Sequence, residues 1–298
     1  MPLLMLVVAA AACRGRDSSD APPPPGAATA EGDTAISKLA LRYHPPVGAV
    51  YNYAVTQRHV ISIAGMGDQE LGVRMRFAQR VKGRPASLPF GTELEVTFDS
   101  TRIDIPGVPA QRVAPVVQRI RGAKGTVVYD DRAQMMRSDF TGLRDVPPEI
   151  ATQLVAGIRS MTFGFPEQPV GRGDSWTVAT ELPVGSVPGT DASAAGPART
   201  TLTVRDIQVN GSDTTVVLDV KTAFPTGPID LDLGGQKATM RISGTLTGDQ
   251  QFSITRGTVI TGTLKGAMKM NVTAAAMGPA AMVVTTNTES TVRLADTK

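Results

Sequence analysis

Leu71, Val73, Met75 and Phe77 alternate with Gly72, Arg74, Arg76 and Ala78. Successive side chains leave a strand on opposite sides, so a period of two places one face on a core and the other in water. The pattern returns in residues 92–105, where Leu94, Val96 and Phe98 alternate with Glu93, Glu95 and Thr97. Stretches 50–64 and 71–82 flank the turn signal Gly65-Met66-Gly67-Asp68, and 125–130 with 132–139 read as a hairpin around Asp130-Asp131. From Ala238 to Leu294 the chain is rich in Thr and Val. Asp249-Gln250 and Arg256-Gly257 are tight-turn signals there, predicting a meander of strands 239–248, 249–255, 258–272 and 280–294. The loose spacing of Val259, Leu264, Met268 and Met270 predicts a bulge or a mixed-facing strand.

Two segments break the period. In 111–121, Val113, Val116, Val117 and Ile120 share a helical face, Gly122 is a stop, and Pro115 lies near the start, where a first turn tolerates it. In 147–161, Ile150, Leu154, Val155, Ile158 and Met161 share another face behind Asp145 and Pro147-Pro148. The expected fold is therefore mainly β, with one or more antiparallel curved sheets forming a sandwich or half-barrel. Two short amphipathic helices lie on it. Pro46-Val47-Gly48, Tyr53 and Val55 recur as Pro169-Val170-Gly171, Trp176 and Val178. Residues 71–83 and 92–103 have counterparts in 199–211 and 214–224, past a Pro/Gly/Ala-rich insertion at 183–198. A two-fold internal repeat would divide the β-rich domain, 39–298, into halves 39–164 and 165–298.

Cys13 is the single cysteine, which excludes an intramolecular disulfide and a multi-cysteine zinc site. It ends an apolar run at residues 3–12. The run is shorter than the about 20 residues that span a bilayer, and it has the length of a signal-peptide core. Ala10-Ala11-Ala12-Cys13 resembles a bacterial lipobox, although no Lys or Arg precedes the run and Ala10 stands where Leu is commoner. Residues 1–13 are thus expected to be a lipoprotein signal with lipid attachment at Cys13. Residues 14–38 carry Pro22-Pro23-Pro24-Pro25 among small side chains. They cannot bury enough surface to offset their ordering entropy and read as a disordered tether. The expected location is the bacterial cell envelope, periplasmic or outer-membrane facing, with the membrane engaged through the N-terminal lipid.

Chemistry is hard to place on these residues. A Ser-His-Asp arrangement needs an imidazole to take the serine proton, and the chain has only His44 and His59. His44 precedes Pro45-Pro46 in a loop, and His59 falls in a strand, so both read as structural or surface residues. No Gly-x-Ser-x-Gly elbow occurs. Asp130-Asp131 is a turn, and Asp230/Asp232 lacks the third acidic position and the closing Glu of a calcium loop. Arg172-Gly173-Asp174 reads as a turn into a strand. The sequons at Asn210 and Asn271 have no bearing in a bacterial chain. With 30 Lys and Arg against 27 Asp and Glu, scattered singly, nothing tracks a phosphate backbone, and nucleic acid is not an expected partner. No catalytic, cofactor-binding or metal residue is assigned, and the chain reads as non-enzymatic.

The stretch Phe165-Pro166-Glu167-Gln168-Pro169-Val170-Gly171-Arg172-Gly173-Asp174-Ser175-Trp176 resembles a recurring segment in a family of uncharacterised bacterial envelope lipoproteins. The approach from Leu41 to Tyr53 and the closing Phe252-Ser253-Ile254-Thr255-Arg256-Gly257 are similar too. The resemblance implies location and fold rather than mechanism. The function expected from the residues is binding or carriage of an apolar ligand on the concave face of a curved sheet. Met66, Met75, Met135, Met136, Met268, Met270, Met277 and Met282 motivate it, since methionine adapts to irregular shapes. The alternative is a structural protein that docks an envelope partner along its sheet edges.

Overall fold

The computed structural model describes residues 38–63, 67–85, 91–105, 107–147, 151, 154–155, 158, 164–180, 190–191, 195–232, 237–274 and 282–295. The signal segment 1–13 with Cys13, the tether up to residue 37, and Met66 and Met277 lie outside them.

The strands of the N-terminal half are β1 (Val50–Ile63), β2 (Gly67–Gly83), β3 (Thr92–Asp104), β4 (Lys124–Tyr129) and β5 (Met135–Asp139). Those of the C-terminal half are β6 (Ser175–Thr180), β7 (Thr190–Asp191), β8 (Ala198–Asn210), β9 (Asp213–Ala223), β10 (Pro228–Asp232), β11 (Lys237–Ser253), β12 (Thr258–Ala274) and β13 (Met282–Ala295). All are antiparallel in one curved, unclosed sheet of order β5-β4-β3-β2-β1-β13-β12-β11-β9-β8-β6. β10 lies beside β11 and carries β7. The first half runs from the centre of the sheet to one edge, and the second returns from the other edge to the centre. There β1 and β13 pair in the register Val55↔Val292. In the proposed repeat, Tyr53 lies buried on a central strand, and its counterpart Trp176 is half-buried on the edge strand β6.

Period-two patterning holds where it was read. Leu71, Met75 and Phe77 are buried on β2 and Leu94, Val96 and Phe98 on β3, while Arg74 and Arg76 face water. Asp130 makes the expected turn, its Oδ1 accepting from the backbone N–H of Arg132 at 2.9 Å and of Gln134 at 2.8 Å. The structure corrects three boundaries. Asp249-Gln250 is no turn but the middle of β11, since the partners β9 and β12 continue past it on both sides. β2 starts at Gly67 rather than Leu71, because the β1 ladder extends to Ile63↔Gly67. Pro115 falls in the second turn of helix α1 (Ala110–Ile120) and is exposed there. Val113 and Ile120 of α1 are buried. Of the second expected helix, Ala151, Leu154, Val155 and Ile158 are helical, with Leu154 and Ile158 buried; Pro147 is not helical, and the remaining positions lie outside the described residues.

Curvature has local causes. The ladder slips at Arg76/Phe77, Val204/Asp206 and Gln251/Phe252, and such bulges bend and twist a strand. On β11, a Cβ at Gly244 or Gly248 would collide with the carbonyl oxygen of Ala267 or Thr263 on β12, so the two strands draw together where the glycines sit. The sheet curls enough that Leu94 and Val127 of one flank and Leu202 and Leu218 of the other share one core. Connecting segments tie the flanks together. Leu39 bridges Val170, Tyr43 N–H donates to Asp131 O at 2.8 Å, and Phe165 N–H donates to Arg132 O at 2.7 Å.

Candidate ligand-binding face

The strands β11 and β12, like β2, have 17 residues each. At about 3.3 Å per residue they exceed the depth of a single side-chain core. The concave face accordingly holds two apolar clusters, one toward each end of the strands.

The first is aromatic. Tyr53 and Phe77 stack at 5.5 Å, Phe77 and Phe98 tilt at 6.3 Å, and Phe165 meets Phe252 edge-on at 4.7 Å. Tyr53 Oη bonds Thr258 Oγ1 at 2.7 Å and donates to Val259 O at 2.9 Å. Burial raises the phenols of Tyr43 and Tyr53 above the ordinary tyrosine range, and the Thr258 hydroxyl partly offsets this at Tyr53.

The second is aliphatic. Its buried members are Ile229, Leu231, Met240, Ile242, Met268, Met270, Val272, Val284 and two alanines, with Ile61, Ile63 and Phe224 packed against them. Of the methionines singled out in the sequence, Met268 and Met270 are here, Met75 and Met135 belong with the aromatic cluster, and Met136 and Met282 are exposed.

Between the clusters runs a belt, mostly of Thr with one His, one Gly and one Leu, crossing six strands at one level. On β8, Leu202 belongs to the aromatic side, Ala198 to the aliphatic side, and Thr200 lies between. Thr222 takes that place on β9, Leu246 on β11, Gly266 on β12, Thr286 and Thr288 on β13, and His59 on β1. The register joins them in the series His59↔Thr288↔Gly266↔Leu246↔Thr222↔Thr200. Thr200 and Thr222 bond through their hydroxyls at 2.8 Å, and His59 Nδ1 lies 2.6 Å from Thr288 Oγ1. His59 is thus a fully buried belt residue rather than a surface one. Thr101 Oγ1 on β3 and Thr286 Oγ1 are buried without a hydrogen-bond partner among the described residues.

The other sequence candidates lie apart from the belt. His44 is exposed in a loop. Asp232 pairs with Lys237 at 2.9 Å and Asp230 accepts from Thr239 at 3.4 Å, both near the surface of β10. No group of three or more metal-ligating side chains occurs among the described residues. Asp174 closes the turn into β6, its Oδ2 accepting from Gly171 N–H at 3.0 Å and pairing with Lys38 at 2.9 Å. The Gly171 N–H first, and then Lys38, hold this carboxyl below the ordinary aspartate range. On the convex face a charge ladder of Lys265, Glu289, Arg58 and Glu70 crosses the sheet, beside a groove of about 400 Å³ lined by Arg58, Glu70, Arg74 and Asp104. The belt carries hydroxyls and one imidazole with no carboxylate among its members. It can donate and accept hydrogen bonds in an apolar setting but holds no acid–base pair.

Sequence reasoning missed the belt. Thr286 and Thr288 alternate with Thr285, Asn287 and Glu289. A polar run of this kind does not reveal which of its faces is buried.

No known family profile matches the chain, and no curated protein matches it in sequence. Matches among solved structures include one described for lipid–protein interactions in lipovitellin, 10% identical with a TM-score of 0.45, covering 85% of this chain. This chain spans only 26% of the lipovitellin chain. Another is DynF from the dynemicin biosynthesis pathway of Micromonospora chersina, 11% identical with a TM-score of 0.26, covering 90% of this chain and 92% of that one. Neither likeness bears on what this chain binds.

Proposed function

We propose that the protein is a non-enzymatic lipoprotein of the bacterial cell envelope, tethered through Cys13, that holds an apolar ligand against the aliphatic part of its concave face. The observation that carries this reading is the division of the interior. One cluster is locked by interlocking rings, and the other is built from Met240, Met268, Met270 and aliphatic neighbours without a buried aromatic. Thioether side chains rearrange around irregular shapes at little cost, and apolar concave surfaces with a few placed polar groups are the usual form of a small-molecule site.

Native mass spectrometry of the full chain, prepared without added lipid, tests it. The expected result is extra mass that disappears on organic extraction. A bare polypeptide mass from folded protein, with no shift after incubation with long-chain lipids, would remove the reading. Replacing Cys13→Ser is expected to release the chain from the membrane fraction, and retention there would end the tether part of the proposal.

A second reading is favoured by the open sheet. β5 and β6 end the strand path, and Met136 on β5 is 56% exposed. Unpaired edge groups can accept a strand from an envelope partner. Crosslinking in intact cells that recovers only monomer would count against this.

A further inference from the structure

Thr286 differs from the other hydroxyls of the belt. Thr200 and Thr222 satisfy each other and Thr288 is held against His59, but Thr286 Oγ1 is fully buried with no partner among the described residues. Stranding such a group is costly, and buried polar atoms in folded proteins nearly always find a partner. A valine would fill the same volume and fit a strand equally well. The hydroxyl sits where the belt meets the aliphatic cluster, since Thr286 pairs with Ile61 on one side and Met268 on the other. The His59–Thr288 pair lies one inward step further along β13. The inward positions of β1, β11, β12 and β13 around it carry no Lys or Arg, because Arg241, Lys265, Lys269 and Arg293 all fall on the opposite parity.

We propose, resting on the apolar-ligand reading, that Thr286 is the head-group site of that ligand. Its hydroxyl meets the polar end of a single-chain amphiphile whose hydrocarbon lies along Met268, Met270 and Met240. The missing cation selects the head. A carboxylate or phosphate taken to this depth would lose its hydration without gaining a Lys or Arg counter-charge. An alcohol needs only the hydrogen bond that Thr286 offers. The ligand class is a neutral long-chain amphiphile with a hydroxyl head.

The test is displacement of Nile red from the full chain by dodecanol, dodecane and dodecanoate, in the native protein, Thr286→Val and Thr286→Ser. The native protein is expected to prefer dodecanol, with dodecanoate weakest. Thr286→Val is expected to weaken dodecanol about fivefold to tenfold, the worth of one hydrogen bond. It should leave dodecane unchanged and raise the melting temperature, because a stranded hydroxyl is gone. Thr286→Ser keeps the hydroxyl and the dodecanol preference. Unchanged dodecanol binding in Thr286→Val, or an equal loss in Thr286→Ser, would overturn the head-group assignment while dodecane binding keeps the apolar-ligand reading intact. If the native protein displaces the dye with neither dodecanol nor dodecane, both fall together.

Discussion

Rings pack against rings at one end of this sheet, and thioethers pack against aliphatic side chains at the other, yet β1, β11, β12 and β13 run through both. The aromatic end draws on both flanks and on the connecting segments around Tyr43 and Phe165, so its side chains are held from several directions. The aliphatic end rests on the long strands, with β10 alongside. Rigid rings with fixed contacts specify one packing, whereas methionine fills space without insisting on a shape. One sheet therefore separates a region that fixes the fold from a region free to adapt, and the belt of Thr, Gly, Leu and His marks the boundary.

Phe77→Ala is expected to give the largest effect, a loss of about 3–5 kcal/mol in urea unfolding, because it removes a fully buried ring that contacts Tyr53 and Phe98. Alkali comes next. The phenols of Tyr43 and Tyr53 titrate above their unfolded value of about 10, since burial disfavours the phenolate. A folded pKa above the unfolded one gives stability that is complete below the unfolded value and is lost as pH rises past it. Together the two phenols should cost about 3 kcal/mol by about pH 11, and Tyr53→Phe should make that decline shallower. Unfolding midpoints that stay level between neutral pH and about pH 11 would contradict this assignment.

At the other end Met270→Ala is expected to cost only about 2 kcal/mol, the low end for a buried methionine. Met270→Leu should cost less than about 1 kcal/mol. The comparison breaks if Met270→Leu destabilises as strongly as Phe77→Ala, for then the aliphatic end is as tightly specified as the aromatic one.

Much of the fold was legible because its causes are local. Alternation in Leu71–Phe77 and Leu94–Phe98 reports a buried face directly, and Asp130 announces its turn by offering a carboxylate to nearby backbone N–H groups. Asp249-Gln250 misled for the complementary reason. Turn-forming residues can be held in a strand by ladders on both sides, and β9 and β12 supply them from about 30 or fewer residues away in sequence.

The sequence alone determined that this chain is built of amphipathic antiparallel strands, because alternation and turn chemistry act between residues that are neighbours in the chain. The tertiary structure alone decided that β1 and β13 close the centre of the sheet and that His59, Thr286 and Thr288 are buried in one belt. Those outcomes depend on pairing across 229 positions, as in His59 and Thr288. A contact of that span is fixed by the register of the whole sheet, and no short window of residues contains it.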